Sequence, residues 1–349
     1  VSASLDVVAL GARTPVGVTA EGSAAAVRAG ISRCAEYPFA DAQGEPVVIA
    51  SDGLLDPKLE GRERILLLLE SALDEVEAKL GPDALQRSRL RVLLSCPEAR
   101  PGFSEEDADW LVSAVEARYR GKRAVAHVAL AGCGHAGALR AVEQALRECA
   151  DGRDDLFLIA GAESYLHTET FLWLEQARRF AQPGIRGGFT PGEGGGCLAL
   201  MRAGPRRRLG LPLLAVVRRA YTAREHQLRE SNTGSFGIGL TQAVEGAITG
   251  LELPREGVDD LYTDINGERY RSEEWGFVVL RTPSVWRSTG YKAPSRCWGD
   301  VGAASGVLGG VLAVRAFARG YARGPRAMVI AGSDGGLRGA MLLQEPRIS

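Results

Sequence analysis

Cys133 is the residue best placed to do chemistry. It stands in Ala131-Gly132-Cys133-Gly134, just after the apolar run Val125–Leu130 and just before a long amphipathic pattern. A turn from strand to helix exposes a thiol, and the helix N-terminus favours its thiolate. Such a sulfur suits acyl transfer from a thioester. The usual base is scarce: the chain has 4 histidines, His127, His135, His167 and His226. His135 lies two residues after Cys133, and residues i and i+2 of a helix do not face each other, so it reads as a helix-flank histidine. Glu193, ahead of Gly194-Gly195-Gly196, reads as the brace of a glycine turn.

The elements that would position these residues alternate along the chain. Strands are expected near Leu5–Leu10, Leu90–Ser95, Ala124–Leu130, Leu156–Gly161, Cys197–Met201, Leu213–Arg219, Val258–Thr263, Met328–Gly332 and Ala340–Gln344. Helices are expected near Gly61–Leu80, Glu105–Tyr119, Gly134–Cys149, Gly239–Thr249 and Ala303–Ala318, with a further helix around Thr170–Ala181. This alternation favours an α/β fold with both sheet faces covered. Leu158-Ile159-Ala160-Gly161-Ala162-Glu163 matches Val329-Ile330-Ala331-Gly332-Ser333-Asp334, and each copy follows a small-residue-rich helix and precedes an apolar strand. Two copies of one α/β unit, packed face to face, explain that order. They divide near Ala203–Leu211, giving halves 1–205 and 206–349.

Composition excludes several classes. Lys+Arg 42 against Asp+Glu 43 gives no basic surplus for nucleic acid. Arg206-Arg207-Arg208 reads as a solvated turn. No apolar run approaches the ~20 residues of a membrane helix, and Val1–Asp6 has no signal-peptide pattern. The cysteines at 34, 96, 133, 149, 197 and 297 form no CxxC pair. Free thiols in a reducing cytoplasm are expected, with no disulfide and no zinc site.

Several segments resemble the thiolase superfamily, and within it the β-ketoacyl-ACP synthases. Gly192-Glu193-Gly194-Gly195-Gly196 resembles the family's GEGAG turn, and Ala160-Gly161-Ala162-Glu163-Ser164 its AGGAES strand end. Arg13-Thr14-Pro15-Val16-Gly17 and Val27-Arg28-Ala29-Gly30-Ile31-Ser32 resemble its first loop and the segment after it. Gly299-Asp300-Val301-Gly302-Ala303-Ala304-Ser305 resembles the GNTSAAS loop. The resemblance runs nearly end to end. It implies a duplicated thiolase fold of five layers, αβαβα, and places Cys133 at the acyl-accepting cysteine.

The same resemblance exposes departures. Condensing synthases keep two histidines, or a histidine and an asparagine, in the second half. Asp264 stands at the first of those positions and Asp300 at the second. Asp334, in Gly332-Ser333-Asp334-Gly335-Gly336, replaces the phenylalanine gate. Ile265-Asn266-Gly267-Glu268 replaces the Thr-x-Thr that helps hold pantetheine. An ionised aspartate only accepts hydrogen bonds, so it repels an enolate that needs donors. Like charges ~4 Å apart cost ~1–4 kcal/mol, against about 0.3–1 kcal/mol from the helix N-terminus. Carboxylates around Cys133 are thus expected to raise its pKa and one another's. Three carboxylates also suit a hard cation, although hydrogen-bonded loop aspartates are the expectation and no metal or cofactor is implied. Glu273, Glu274 and Trp275 read as a solvent-facing helix with an aromatic anchor.

Altered or lost condensing activity follows, with acyl transfer through Cys133 retained if Asp264 or Asp300 serves as base and the backbone N–H groups of Cys133 and Asp334 form the oxyanion hole. Acyl-CoA or acyl carrier protein would be the acyl donor. The competing expectation is a non-catalytic partner of an active synthase, or an adaptor in bacterial effector delivery such as type VI secretion. Both imply a homodimer or heterodimer through strand 124–130, which is apolar on both faces.

Overall fold

The run Asp155–Ser164 forms a strand in which every residue is buried, as an apolar stretch covered on both faces should. It is the middle of the first half. A computed structural model describes residues 4–120, 126–149, 155–182, 187–229, 231 and 234–346. In chain order the first half comprises β1 (Leu5–Arg13), α1 (Ala20–Arg28), β2 (Cys34–Ala40), β3 (Pro46–Ala50), α2 (Gly61–Arg87), β4 (Arg89–Cys96), α3 (Glu105–Tyr119), β5 (Ala126–Cys133), α4 (Gly137–Glu148), β6 (Asp155–Ser164), α5 (Thr168–Gln176) and β7 (Glu193–Met201). The second comprises α6 (Ala203–Arg208), β8 (Ala215–Arg224), α7 (Ile238–Ala247), β9 (Asp260–Thr263), α8 (Arg269–Arg281), α9 (Ser295–Trp298), α10 (Ser305–Ala318), β10 (Arg326–Gly332) and β11 (Leu337–Gln344).

The nine strands read from the sequence form one sheet in the order β5-β4-β6-β7-β1-β8-β11-β10-β9. Residues 124 and 125 of the first predicted pairing strand lie outside the described residues. The order repeats outward from the centre. β1 and β8 each pair antiparallel with the last strand of their half, that strand pairs antiparallel with the one before it, and the next pair is parallel. The halves join through the antiparallel contact Leu5–Val7 against Ala215–Val217.

The duplication builds five layers. Leu139 and Val142 of α4 and Val307, Leu308 and Val311 of α10 share one core with Ile159 and Leu198 of the front strands and Val217, Val329 and Met341 of the rear strands. Both helices therefore lie between the half-sheets. On the outer front face, Leu68, Ala72 and Leu111 of α2 and α3 cover Val92 and Leu158. On the outer rear face, Val244, Trp275 and Val278 of α7 and α8 cover Met328 and Leu342. A separate cap contains Tyr165, Phe171, Phe180 and Phe189. The β2–β3 hairpin, which the sequence reading did not anticipate, lays Phe39 5.2 Å from Phe171.

Local signals set the ends. Ser104 and Asp107 make a reciprocal capping box at α3. The regular part of α2 stops where predicted, because Gly81 takes φ 72° ahead of Pro82.

Three expectations change here. The glycines after Glu193 lie inside β7 rather than in a turn. A Cβ on Gly195 would sit 2.3 Å from the Leu68 carbonyl oxygen, and one on Gly11 2.0 Å from that of Ala72. The glycines thus admit α2 against the strand backbone. Arg206 is not a solvated turn residue but donates from α6 to Asp6 at 2.7 Å. Glu193 is fully buried, and Arg64 donates to both its oxygens at 2.6 and 2.8 Å. It also accepts from Asp52 N at 2.6 Å and Ser164 Oγ at 2.9 Å, so it ties α2 to the loop after β3 and to the end of β6.

Overpacking a filled contact costs about 1–3 kcal/mol. Gly195→Ala is therefore expected to lower unfolding stability by about that amount. An unchanged urea midpoint would show that α2 does not bear on the strand.

Candidate functional site

The turn after β5 decides which side chain faces the seam between the halves. Gly134 takes φ 70°, its N–H donates to Cys96 O at 2.9 Å, and its carbonyl accepts from Gly137 N at 2.9 Å. A Cβ there would fall 2.5 Å from Glu98 Oε2 and 2.7 Å from Ser333 Oγ, which is why glycine is needed. α4 then starts at Gly137, three residues later than predicted. His135 therefore belongs to the turn and not to a helix flank. It is buried, with Nε2 2.9 and 3.0 Å from the two carboxylate oxygens of Asp300. Cys133 stays on the last position of β5, in register with Cys96 of β4. Its carbonyl accepts from Ser333 Oγ at 2.9 Å.

The three aspartates do converge, but on cations. Asp264 accepts from Arg271 Nη1 at 2.6 Å and from Gly332 N at 2.8 Å. Asp334 accepts from Arg179 Nη1 at 2.6 Å and Tyr270 Oη at 3.0 Å, and lies 3.5 Å from Arg271 Nη2. Asp300 accepts from His135, from Tyr165 Oη at 3.2 Å, from Asn266 Nδ2 and from Gly302 N at 2.7 Å. Glu268 joins the group, 2.8 Å from Arg179 and 3.3 Å from Arg271. The pKa values of Asp300 and Asp334 are therefore lowered, not raised as expected. Burial alone would raise the Asp300 pKa, but His135, Arg271 and the Gly302 N–H hold it far below the usual carboxylate range. Asp334 is likewise lowered, since Arg179 and Arg271 outweigh its burial. His135 is raised: burial and Arg271 oppose its protonation, and Asp300 overcomes them.

The Cys133 thiol is also raised, chiefly by burial and then by Glu98. The three aspartates are not the cause. Glu98, which the sequence reading did not single out, accepts from Asp334 N and from Gly335 N, each at 2.8 Å. The expected oxyanion-hole donor of Asp334 is thus already occupied by a carboxylate. That carboxyl is itself raised, first by burial and then by Asp334.

A polar cavity of about 200 Å³ opens beside this loop, walled by Glu98, Arg100, His135, Glu163, Tyr165 and Arg179. Cys133 is not among its lining residues. His135 Nδ1 has no hydrogen-bond partner among the described residues. On the side of Asp264 and Asp300 the free space shrinks to about 20 Å³, near the room for one water. Among the described residues no group of histidine, cysteine and carboxylate side chains is placed to hold a metal, and each of the three aspartates is already spoken for by cations or N–H groups.

Arg271, Arg179, Glu98, Glu268 and Tyr165 are site residues that the sequence reading missed. A signal existed for the first. Arg271, Glu274, Trp275 and Val278 recur at helical spacing and are all buried on one face of α8. The helix is therefore not solvent-facing at Glu274, which accepts from Arg338 at two 2.7 Å bonds. Charges on the apolar stripe of a helix imply buried partners. Glu98 and Arg179 carry no such pattern.

The histidine–aspartate pair carries a pH signature. A raised His135 pKa stabilises the fold fully below its ordinary value of about 6.5 and less as pH climbs toward the folded value. The lowered Asp300 pKa stabilises fully above about 3.8 and less as pH falls below it. The advantage in unfolding free energy of the parent chain over His135→Gln is thus expected to be largest near pH 5–6 and to shrink above about 6.5. A constant difference from about pH 5 to 9 would sink the ion pair.

No protein-family model and no curated protein matches the chain. Solved structures do. A chain of the ishigamide ketosynthase/chain length factor superposes with a TM-score of 0.81 at 15% identity, covering 99% of this chain and 100% of that one. A chain of the AntDE:AntF assembly, a type II PKS acyl-carrier protein in complex with its ketosynthase bound to the hexaketide, gives 0.79 at 13% identity over 99% and 100%. The ketosynthase from module 6 of the bacillaene synthase of Bacillus subtilis gives 0.76 at 13% identity over 99% and 72%. The fold is that of the ketosynthases, the duplicated thiolase fold.

Proposed function

We propose that this chain is a ketosynthase-fold protein without condensing activity, working as a binding subunit. One observation carries the reading. Glu98 fills the Asp334 and Gly335 N–H pair while Arg271 and His135 are locked onto Asp264, Asp300 and Asp334. Acyl transfer to Cys133 needs a free donor where the thioester oxyanion forms, and Glu98 already holds the Asp334 N–H; at positions 264 and 300, where an enolate would need donors, stand carboxylates that only accept. A thiolate is the competent nucleophile, and burial together with Glu98 disfavours it at Cys133. Asp264, held by Arg271, and Asp300, held ionised by His135 and Arg271, are positioned as anchors of the seam rather than as bases for that sulfur.

Incubation with acyl-CoAs and acyl-carrier-protein thioesters, read by intact mass, is expected to leave the parent chain and Cys133→Ala equally unmodified. An adduct lost in Cys133→Ala would overturn the proposal and establish acyl transfer through Cys133.

The binding surface we propose is the free edge of β5. Among the described residues this strand pairs only with β4 and ends the sheet, and Leu130 on it is 39% exposed. The single chain thus leaves one edge open to the pairing across two chains expected of this strand. An open apolar edge is a template for another strand. Light scattering is expected to show a dimer, or a heterodimer with a catalytic ketosynthase chain, and Ala129→Pro is expected to give monomer by removing a ladder donor. A monomer that also ignores such a partner would rule out this edge as the interface.

A further inference from the structure

A second concave site lies away from the His135 cavity, between α1, the C-terminal end of α10 and the segment 292–297. It encloses about 620 Å³, within the range of about 300–1,000 Å³ usual for small-molecule sites. Its floor is apolar, made by Ala24, Val27, Pro294 and Leu312. Arg28, Lys292, Arg296 and Arg323 surround that floor, and no carboxylate lines it. Asp260 sits behind, 2.9 Å from Lys292 and 3.7 Å from Arg323. Arg28 and Arg296 have no carboxylate partner among the described residues; Arg28 instead stacks over Tyr321, 4.2 Å from the ring centroid. Lys292 lies 4.7 Å over Tyr262. An adjoining hollow of about 480 Å³ shares Arg28 and Tyr321 and adds Arg319, Arg315 and its partner Glu21, 3.1 Å away.

Four cations around an apolar floor are out of keeping with a chain whose net charge is −1. Lys292 and Arg323 share the single Asp260, so the four cations outnumber their carboxylates, and a bound anion relieves the remaining repulsion. Guanidinium groups are matched by phosphate oxygens through paired N–H bonds, and a dianion answers more of them than a carboxylate does. The aromatic and aliphatic walls call for an apolar or flat body behind that head. We propose that this groove binds a small phosphate monoester with an apolar or aromatic body, its phosphate among Arg28, Arg296 and Arg323 and its body on Val27, Leu312 and the tyrosines. The proposal is independent of whether Cys133 reacts.

Titration calorimetry with n-octyl phosphate tests it, using inorganic phosphate, octanoate and n-octyl glucoside as comparators below their micellar concentrations. Octyl phosphate is expected to bind at least about tenfold more tightly than each comparator, with affinity falling as salt rises. Arg28→Ala combined with Arg296→Ala is expected to lose at least about tenfold while keeping its unfolding midpoint, since both side chains are exposed and free of carboxylate partners. If the pair fails to fold, Arg296→Ala alone gives the readout. No heat with octyl phosphate, or equal affinity in the arginine variant, would overturn the assignment. Equal binding of octyl glucoside would reduce the groove to an apolar hollow, and equal binding of octanoate would remove the phosphate, so either result also overturns it.

Discussion

The buried contact between His135 and Asp300 is the constraint on which the site depends. It joins the turn after β5 to the loop after α9, 165 residues apart, across the seam between the two halves. A carboxylate this deep would be protonated or expelled without a counter-charge. With His135, Arg271 and the Gly302 N–H in place it stays ionised. The same demand propagates outward. Arg271 needs Asp264 and Glu268, Glu268 engages Arg179, and Arg179 engages Asp334. Removing one member of such a buried group is costly because its partner is left uncompensated.

This network stands where the resemblance to the condensing synthases would put neutral donors. Charge neutralisation and catalysis make opposite demands on it. A condensing site holds its hydrogen-bond donors ready for a charge that appears only during reaction. Here the donors are already engaged by carboxyl groups, including the backbone pair held by Glu98. The result is a charge-paired seam between α4, α8 and the loops after β9 and β10. Buried pairs elsewhere follow the same design. Arg64 with Glu193 fastens α2 to β7, and Arg338 with Glu274 fastens β11 to α8.

Around the seam, the two central helices set the geometry. α4 and α10 each touch both half-sheets, so the elbow at Gly134 and the loop at Asp300, which precede those helices, are brought face to face. Glycines in β1 and β7 let α2 lie on the outer side of the same strands. Phosphate recognition at the groove beside α1 would use a different surface, built from the far side of β9 and α10. That groove and the His135 cavity share no lining residue.

The sequence by itself determined the strands of the sheet, the main helices and the internal repeat, because these rest on local periodicity and on apolar runs that any packing must bury. The resemblance to the condensing synthases, rather than any local pattern, put Asp264, Asp300 and Asp334 in one neighbourhood. Only the tertiary structure decided what those carboxylates face. Their counter-ions come from α8, from the end of α5 and from the turn after β5, and no local pattern announces that Arg179 reaches Asp334 155 residues away. The direction of His135 was equally hidden: a single left-handed glycine at position 134 moves it from a helix flank into the seam. Composition and periodicity describe what each segment prefers on its own. The charge state of a buried group depends on which distant partners come within hydrogen-bond reach of it, and the fold alone fixes that.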